Sequence, residues 1–366
     1  MPRAMDCDSQ AESQMHHARI VTKRQHLAQY LDPQARNRLN GIMHNPTAGN
    51  PMETLYIVAC VANPLRWRSR IALARAALAD WLKEPDVHIT LAECVYGSRE
   101  WDLADLASAR VTHVPLRATT MAWSKECLLN IAIAHLPREA EKIVALDADV
   151  TFRRQGWATE TLAALDLYPV IQPWDTAYDL GPHDEHIQTH KSFASVWHAG
   201  KPVVATSASF WAFNGGYNIY PHPGYAWGWH RRVLDRIGGL LDTGAMGSGD
   251  YHMALGMVGN YQASLPAGVS EGYKNSVASW ATRAAFELNG KLGFTHGTIE
   301  HPFHGRKSDR GYQTRWQMFL DTGFDPATDL KRNTYGVLEF SGSKPNLERA
   351  FDRYLRSREE DVNTLT

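Results

Sequence analysis

The chain has 366 residues, 44% of them hydrophobic and 21% charged, which is enough apolar material for one large domain or two smaller ones. Lys and Arg total 38 against 39 Asp and Glu, so no global field draws the protein onto nucleic acid or an anionic membrane. No apolar run approaches the ~20 residues of a membrane-spanning helix and MPRAMDCDSQAESQMHHARIVTK lacks a signal peptide's apolar core, which predicts a cytoplasmic protein without integral membrane association. Cys7, Cys60, Cys94 and Cys127 show no CxxC spacing and read as reduced thiols, which argues against a cysteine zinc site.

Residues 1–52 are polar and mixed, an N-terminal extension with one helix expected from Gln25 to Arg38. LYIVACVAN then reads as a buried strand, Arg68 to Lys83 as an Ala-rich helix, and VHITLAECVYG as a second strand. A short strand VTHVPL follows, then a helix from about Trp123 to His135. The strand KIVAL runs straight into Asp147 and Asp149. This alternation predicts an α/β fold with a mixed, mostly parallel sheet flanked by helices, in which both aspartates lie at the carboxyl edge where such sheets bind ligands. Residues 53–150 form the first half of the main domain and 151–335 the second. The second half is richer in Gly, Trp and His: strands at YPVIQPW and ASFWAFN, a helix from His230 to Leu241, and another opening near Gly249. A helical tail, 336–366, has Asn346 as its expected N-cap and Leu347, Phe351, Tyr354 and Leu355 on one face.

Two carboxylates one residue apart at a strand end can chelate Mg²⁺ or Mn²⁺, whose other positions go to water and phosphate oxygens. The plainer reading is a pair of solvated loop aspartates. HGTIEHPFHGRKSDRGYQTR holds the densest grouping of His and Arg in the chain. His296, His301 and His304 each offer an imidazole nitrogen, and Arg306, Lys307, Arg310 and Arg315 can compensate phosphate charge. A solvated basic loop explains that charge and leaves the histidines unaccounted for. The aromatics Trp211, Tyr217, Tyr220, Tyr225, Trp227 and Trp229 have flat faces suited to sugars or nucleobases, and Gly215 and Gly216 allow close backbone approach.

In order and spacing, these segments resemble the GT-A class of nucleotide-sugar glycosyltransferases, from Thr54 to about Arg315. VACVANP stands where that class has its nucleotide-binding loop. SKECLLNIA, with Lys125 and Asn130, stands where it has GKxxALNxA, and LDADV supplies the DxD. RRVLDRIGGLLDTGAMGSGDYHMA stands where a helix precedes an acidic pair. One departure is Gly249-Asp250 in place of the Glu-Asp of many relatives, which leaves Asp250 as the one carboxylate to orient or deprotonate an acceptor hydroxyl, the catalytic base the resemblance implies for inverting relatives, or as a helix-start residue. The resemblance implies a metal-dependent hexosyltransferase with a GT-A-type, Rossmann-like sheet, a nucleoside-diphosphate sugar as donor, a UDP-sugar first, and Mn²⁺ or Mg²⁺. It implies that Ala62, Asn63, Arg66 and Glu93 hold the nucleoside, with Lys125 and Asp147 near the nucleotide. Asp147, Asp149 and His304 would bind metal, and Lys307, Arg310 and Arg315 the diphosphate. Gly215, Gly216, Trp227, Trp229 and Gly249 would contact the sugar or acceptor. The acceptor stays open between a glycan, a small molecule, a protein and a modified DNA base.

Two other classes compete. LDADVT also fits a haloacid dehalogenase-like phosphatase with Asp147 as nucleophile and Asp149 as general acid, although a strand, helix and strand precede it here. A non-catalytic carbohydrate-binding protein needs no metal site beside a basic loop. A nucleotidyltransferase would carry a glycine-rich loop after its first strand, and VACVANPLRW has none.

Overall fold

The computed structural model describes residues 53–204, 217–245, 247–312 and 314–362. The expected extension 1–52 with its helix and Cys7, the expected strand ASFWAFN with Trp211, and Gly215 and Gly216 lie outside the described residues.

The chain opens with β1 (Leu55–Ala62), α1 (Arg68–Trp81), β2 (Val87–Tyr96), β3 (Val111–Ala118), α2 (Lys125–Ala134) and β4 (Lys142–Asp147). The four strands pair in parallel, and β1 is apolar throughout because both of its faces are covered. Leu55, Ile57, Ala59 and Val61 face the core shared with α1, whereas Val58 faces the core shared with α2. α1 buries Ala74, Ala77, Leu78 and Trp81, a stripe at helical spacing.

β5 (Thr151–Phe152), α3 (Trp157–Leu165), β6 (Val170–Gln172), β7 (Thr176–Leu180), β8 (His186–Ser192), α4 (Phe193–His198), β9 (Tyr217–His222) and β10 (Ala226–His230) follow. Then come α5 (Arg231–Ile237), α6 (Gly249–Met257), α7 (Glu271–Leu288), β11 (Leu292–Phe294) and β12 (Thr298–His301). The chain closes with α8 (Gln317–Thr322), α9 (Pro326–Asp329), β13 (Leu330–Arg332), β14 (Leu338–Phe340) and α10 (Pro345–Arg356). The large sheet has the order β11-β6-β10-β4-β1-β2-β3, with β10 antiparallel to both of its neighbours. It is the mixed, mostly parallel sheet flanked by helices that the sequence predicts.

A second sheet, β5-β12-β7-β8-β9, went unread in the sequence, and it decides which side chains meet. β5 starts two residues after Asp149 and pairs with β12, Thr151 opposite Glu300. On its other side β12 pairs with β7, His301 opposite Asp179, and β7 places Ala177 opposite His190 on β8.

Three expectations need correction. Trp227 and Trp229 lie inside the central strand β10 at 6% and 1% exposure, so they pack the core rather than face a ligand. α10 begins at Pro345, whose fixed φ suits the first helical position, so Lys344 takes the cap position and Asn346 lies inside the helix. α5 stops at Ile237, where Gly238 adopts φ 83, short of Leu241. The apolar face of α10 is as read, with Leu347, Phe351 and Leu355 buried. Among the described residues no helix is long and apolar enough to cross a membrane.

Candidate active site

The carboxyl ends of β1 and β4 open into a cavity of about 600 Å³, closed on the far side by the second sheet, the loop after β12 and the end of α10. Asp147 ends β4, its amide donating to the Tyr225 carbonyl at 2.8 Å. Its carboxylate is in direct contact with the Lys125 ammonium from α2. Burial works against the Lys125 charge, but Asp147, Glu126 and Asp250 outweigh it and raise the pKa. Burial pushes Asp147 up as well, against the pull of Lys125. Those two directions oppose each other on the pair, and the direct contact favours the ion pair.

Asp149, in the turn after β4, points the other way. Its Oδ2 lies 3.2 Å from His304 Nε2 and 3.8 Å from His301 Nε2, and the two imidazole nitrogens are 3.1 Å apart. Donor atoms of Asp149, His301 and His304 all lie within 4.8 Å of one another. The Arg310 guanidinium donates to His304 Nε2 at 3.0 Å, so that lone pair is held by Arg310 until a metal ion displaces it. His301 is held from behind, with its Nδ1 2.9 Å from Asp179 Oδ1. Asp179 also meets His190 Nε2 at 2.6 Å, the Tyr225 hydroxyl at 2.9 Å and the Lys307 ammonium. A carboxylate behind an imidazole fixes its tautomer and aims its other nitrogen, as behind metal-binding histidines. Burial would raise Asp149 and Asp179, but hydrogen bonds from His301 with His304, and from His190 with His301, hold both well below the usual carboxylate range. Burial likewise opposes a charged His301, yet Asp149 and Asp179 bring it up to about 9.

Positive charge lines the same cavity. Arg70, Lys125, Lys307, Arg310, Arg315 and Arg358 all reach it. Glu360, 2% exposed, takes two bonds from Arg70 at 2.5 and 2.7 Å and one from Arg358 at 2.6 Å. Burial would raise the Glu360 carboxyl, but Arg70, then His304 and Arg358, hold it well below its ordinary value. The Nε atoms of Arg310, Arg315 and Arg358 are buried with no hydrogen-bond partner among the described residues. An orphaned guanidinium N–H costs free energy until an acceptor arrives, and the three side chains that carry them line one cavity, which suits an anionic ligand.

Not every expected contact is brought here. Ala62 lines the cavity, whereas Asn63 closes its side chain on the Trp67 amide and carbonyl, each at 2.9 Å, as a brace for the turn. Arg66 is exposed at φ 62 and does not reach the cavity. Glu93 is 2% exposed, its oxygens taken by the amides of Asp102 (2.7 Å) and Leu103 (3.1 Å) and by His113 (2.8 Å), which turns it away from any nucleoside. His296 stands apart, half-exposed beside Asp175. The structure brings His301 in where the sequence points to Asp147 as third donor, because Lys125 occupies Asp147. Asp250, at the start of α6, lines the cavity, and its Oδ1 accepts from the Tyr251 amide at 2.8 Å. Asp179, Arg70, Arg358 and Glu360 carried no sequence signal for this site. The HPFH spacing alone hinted that His301 and His304 act together.

No family model matches the chain, and a search of curated proteins finds no relative. Among solved structures, the fold overlaps TarS of S. aureus in complex with UDP-GlcNAc at 8% identity and TM-score 0.36, covering 68% of this chain and 58% of that one. It overlaps the mannosyltransferase PcManGT of Pyrobaculum calidifontis, in complex with GDP-Man and Mn²⁺, at 12% identity and TM-score 0.31, covering 75% and 83%. GalNAc-T7 with UDP, GalNAc and Mn²⁺ overlaps at 13% identity and TM-score 0.38, covering 68% and 43%. All three are GT-A-type glycosyltransferases, the class the sequence segments resemble. At this overlap the likeness is one of chain path and fixes no ligand for this chain.

Proposed function

We propose that the chain is a metal-dependent glycosyltransferase that moves a sugar from a nucleoside diphosphate to an acceptor hydroxyl. The observation that carries this is one cavity lined by the Asp149, His301 and His304 donors and by three arginines whose buried Nε atoms have no partner among the described residues. That combination suits a divalent ion and a diphosphate together. One carboxylate and two imidazoles suit Mn²⁺ better than Mg²⁺, which prefers oxygen throughout. A bound ion supplies charge neutralisation for the leaving diphosphate. Arg310, Arg315 and Arg358 hold phosphate oxygens in the same way, already oriented and shielded from water.

Lys125 and Asp147 lie toward the ribose, and the backbone around Ala62 toward the base. Residues 53–150 thus supply the nucleotide side, and Gly249 with Asp250 the acceptor side. Asp250 holds the acceptor hydroxyl. A UDP-sugar is the first donor to try, and the acceptor is a glycan, a small molecule, a protein or a hydroxylated DNA base. A phosphatase with Asp147 as nucleophile would need that carboxylate free, and Lys125 covers it.

The test is thermal unfolding with UDP-glucose, UDP-GlcNAc, UDP-galactose and GDP-mannose, with and without Mn²⁺. A donor at 100 times its Kd stabilises by about 2.7 kcal/mol. We expect at least one donor to shift the transition only when Mn²⁺ is present. No shift with any donor overturns the proposal.

A further inference from the structure

Behind Asp250 lies a second carboxylate that the mechanism so far leaves unused. Glu126, in the first turn of α2, is 4% exposed and lines the cavity. A methyl group built on Gly249 would lie 2.6 Å from the Glu126 carboxyl carbon and Oε1. Gly249 is not among the positive-φ glycines, so the backbone does not require glycine there; the carboxylate does. Gly224 clears Asp250 in the same way, since a methyl there would meet Asp250 Oδ2 at 2.8 Å. Two glycines therefore make room for two carboxylates, one from α2 and one from α6.

We propose that Glu126 accepts the proton of the incoming hydroxyl while Asp250 orients that hydroxyl. This deepens the glycosyltransferase reading and rests on it. The groups that face Glu126 are Lys125 on its own helix, Asp147 at the end of β4, Asp250 on α6, Cys60 on β1 and Tyr273 on α7. Lys125 is committed to Asp147. Among the described residues no side chain donates a hydrogen bond to the Glu126 carboxylate, and its own backbone amide is the donor that reaches it. Burial first, then Asp250 and Asp147, push the carboxyl up to about 7 against the pull of Lys125. A base in that range is half ionised near neutrality and strong enough to take a proton from an alcohol as it attacks.

In the step, the acceptor oxygen forms a bond to the anomeric carbon. The bond from that carbon to the diphosphate oxygen breaks, its electron pair leaves with the diphosphate, and the hydroxyl proton moves to a Glu126 carboxylate oxygen. Glu126 then returns the proton to water. A single displacement of this kind inverts the anomeric carbon.

Because the natural acceptor is unidentified, water serves as the acceptor, and the readout is slow hydrolysis of whichever donor gives the Mn²⁺-dependent thermal shift. Glu126→Gln should lower hydrolysis by about 100-fold and abolish its rise with pH near neutrality, with the donor-induced shift unchanged. Glu126→Ala combined with Gly249→Glu returns a carboxylate to the same space from the facing helix, and should recover at least about a tenth of the wild-type rate. With methanol added as acceptor, the methyl glycoside, which unlike the free sugar cannot mutarotate, should carry the inverted configuration by NMR. A wild-type rate in Glu126→Gln, a loss of rate matched by loss of the donor shift, or retention at the anomeric carbon overturns the assignment. If no donor binds the wild-type protein, it is the glycosyltransferase reading that fails, before any variant is compared.

Discussion

The two walls of the cavity treat their charges differently. On the wall made by the ends of the parallel strands and α2, charges and polar groups other than Glu126 are closed on one another: Lys125 on Asp147, Asn63 on Trp67, Glu93 on two amides and His113. On the wall made by the second sheet, the loop after β12 and the tail, valences are left open. Asp149 meets two imidazoles whose Nε2 atoms converge, and three guanidinium Nε atoms have no partner among the described residues. The closed wall fixes the frame. The open wall is where a ligand gains most, because its groups are already desolvated and aimed by Asp179 and Glu360.

The sharpest break of that contrast is Asp149→Ala. Titration of Mn²⁺ alone, followed by EPR, should show affinity down by more than about 100-fold, since two imidazoles without the carboxylate leave the ion under-ligated. Asp179→Asn removes no ligand and changes what stands behind His301, so the expected loss is smaller, about 10 to 100-fold. Wild-type Mn²⁺ affinity in Asp179→Asn would show that His301 is aimed by something else.

A third test probes the closed wall. The folded state raises Glu126 from 4.5 to about 7, so it binds that proton more tightly than the unfolded chain does. The sign follows: the group favours the fold fully below its unfolded value, and that advantage is lost as pH rises through about 7. Above this, the buried ion costs roughly 3 kcal/mol, because each tenfold change in proton affinity is worth about 1.4 kcal/mol. Glu126→Gln should therefore exceed wild type in Tm by more at about pH 8 than at about pH 5. An equal difference at both would place Glu126 in contact with solvent.

Much of the closed wall was legible in the sequence. β1 is a continuous apolar run and β2 and β4 are largely apolar, α1 repeats its buried residues at helical spacing, and a parallel sheet then puts Asp147 and Asp149 at its carboxyl edge. The open wall was legible only as composition. β5 has two residues and β12 four, too short for any hydrophobic period to show, and nothing local says that Thr151 pairs with Glu300. Without that ladder His301 cannot be placed beside Asp149, nor Asp179 behind it. Glu360 and Arg70 are farther apart still, 290 residues along the chain. Trp227 and Trp229 misled for a related reason. A central strand covered on both faces shows no alternation, and its aromatics look like those of an exposed sugar platform.

The smallest expected effect on ligand binding comes from the strand end where sequence and structure part. The sequence places Glu93 on the nucleoside, whereas in the structure its two oxygens satisfy the amides of Asp102 and Leu103 and the His113 ring. Glu93→Gln sets an NH₂ against one of these donors and leaves a buried bond unmade, at a cost of about 1 to 3 kcal/mol in stability. Donor affinity, measured by calorimetry with Mn²⁺ present, should stay within about twofold of wild type, because residues on separate networks are nearly additive. A tenfold loss of donor affinity with stability unchanged would return Glu93 to the nucleoside. It would also mean that Glu126 is not alone on the closed wall in keeping a carboxylate for the ligand.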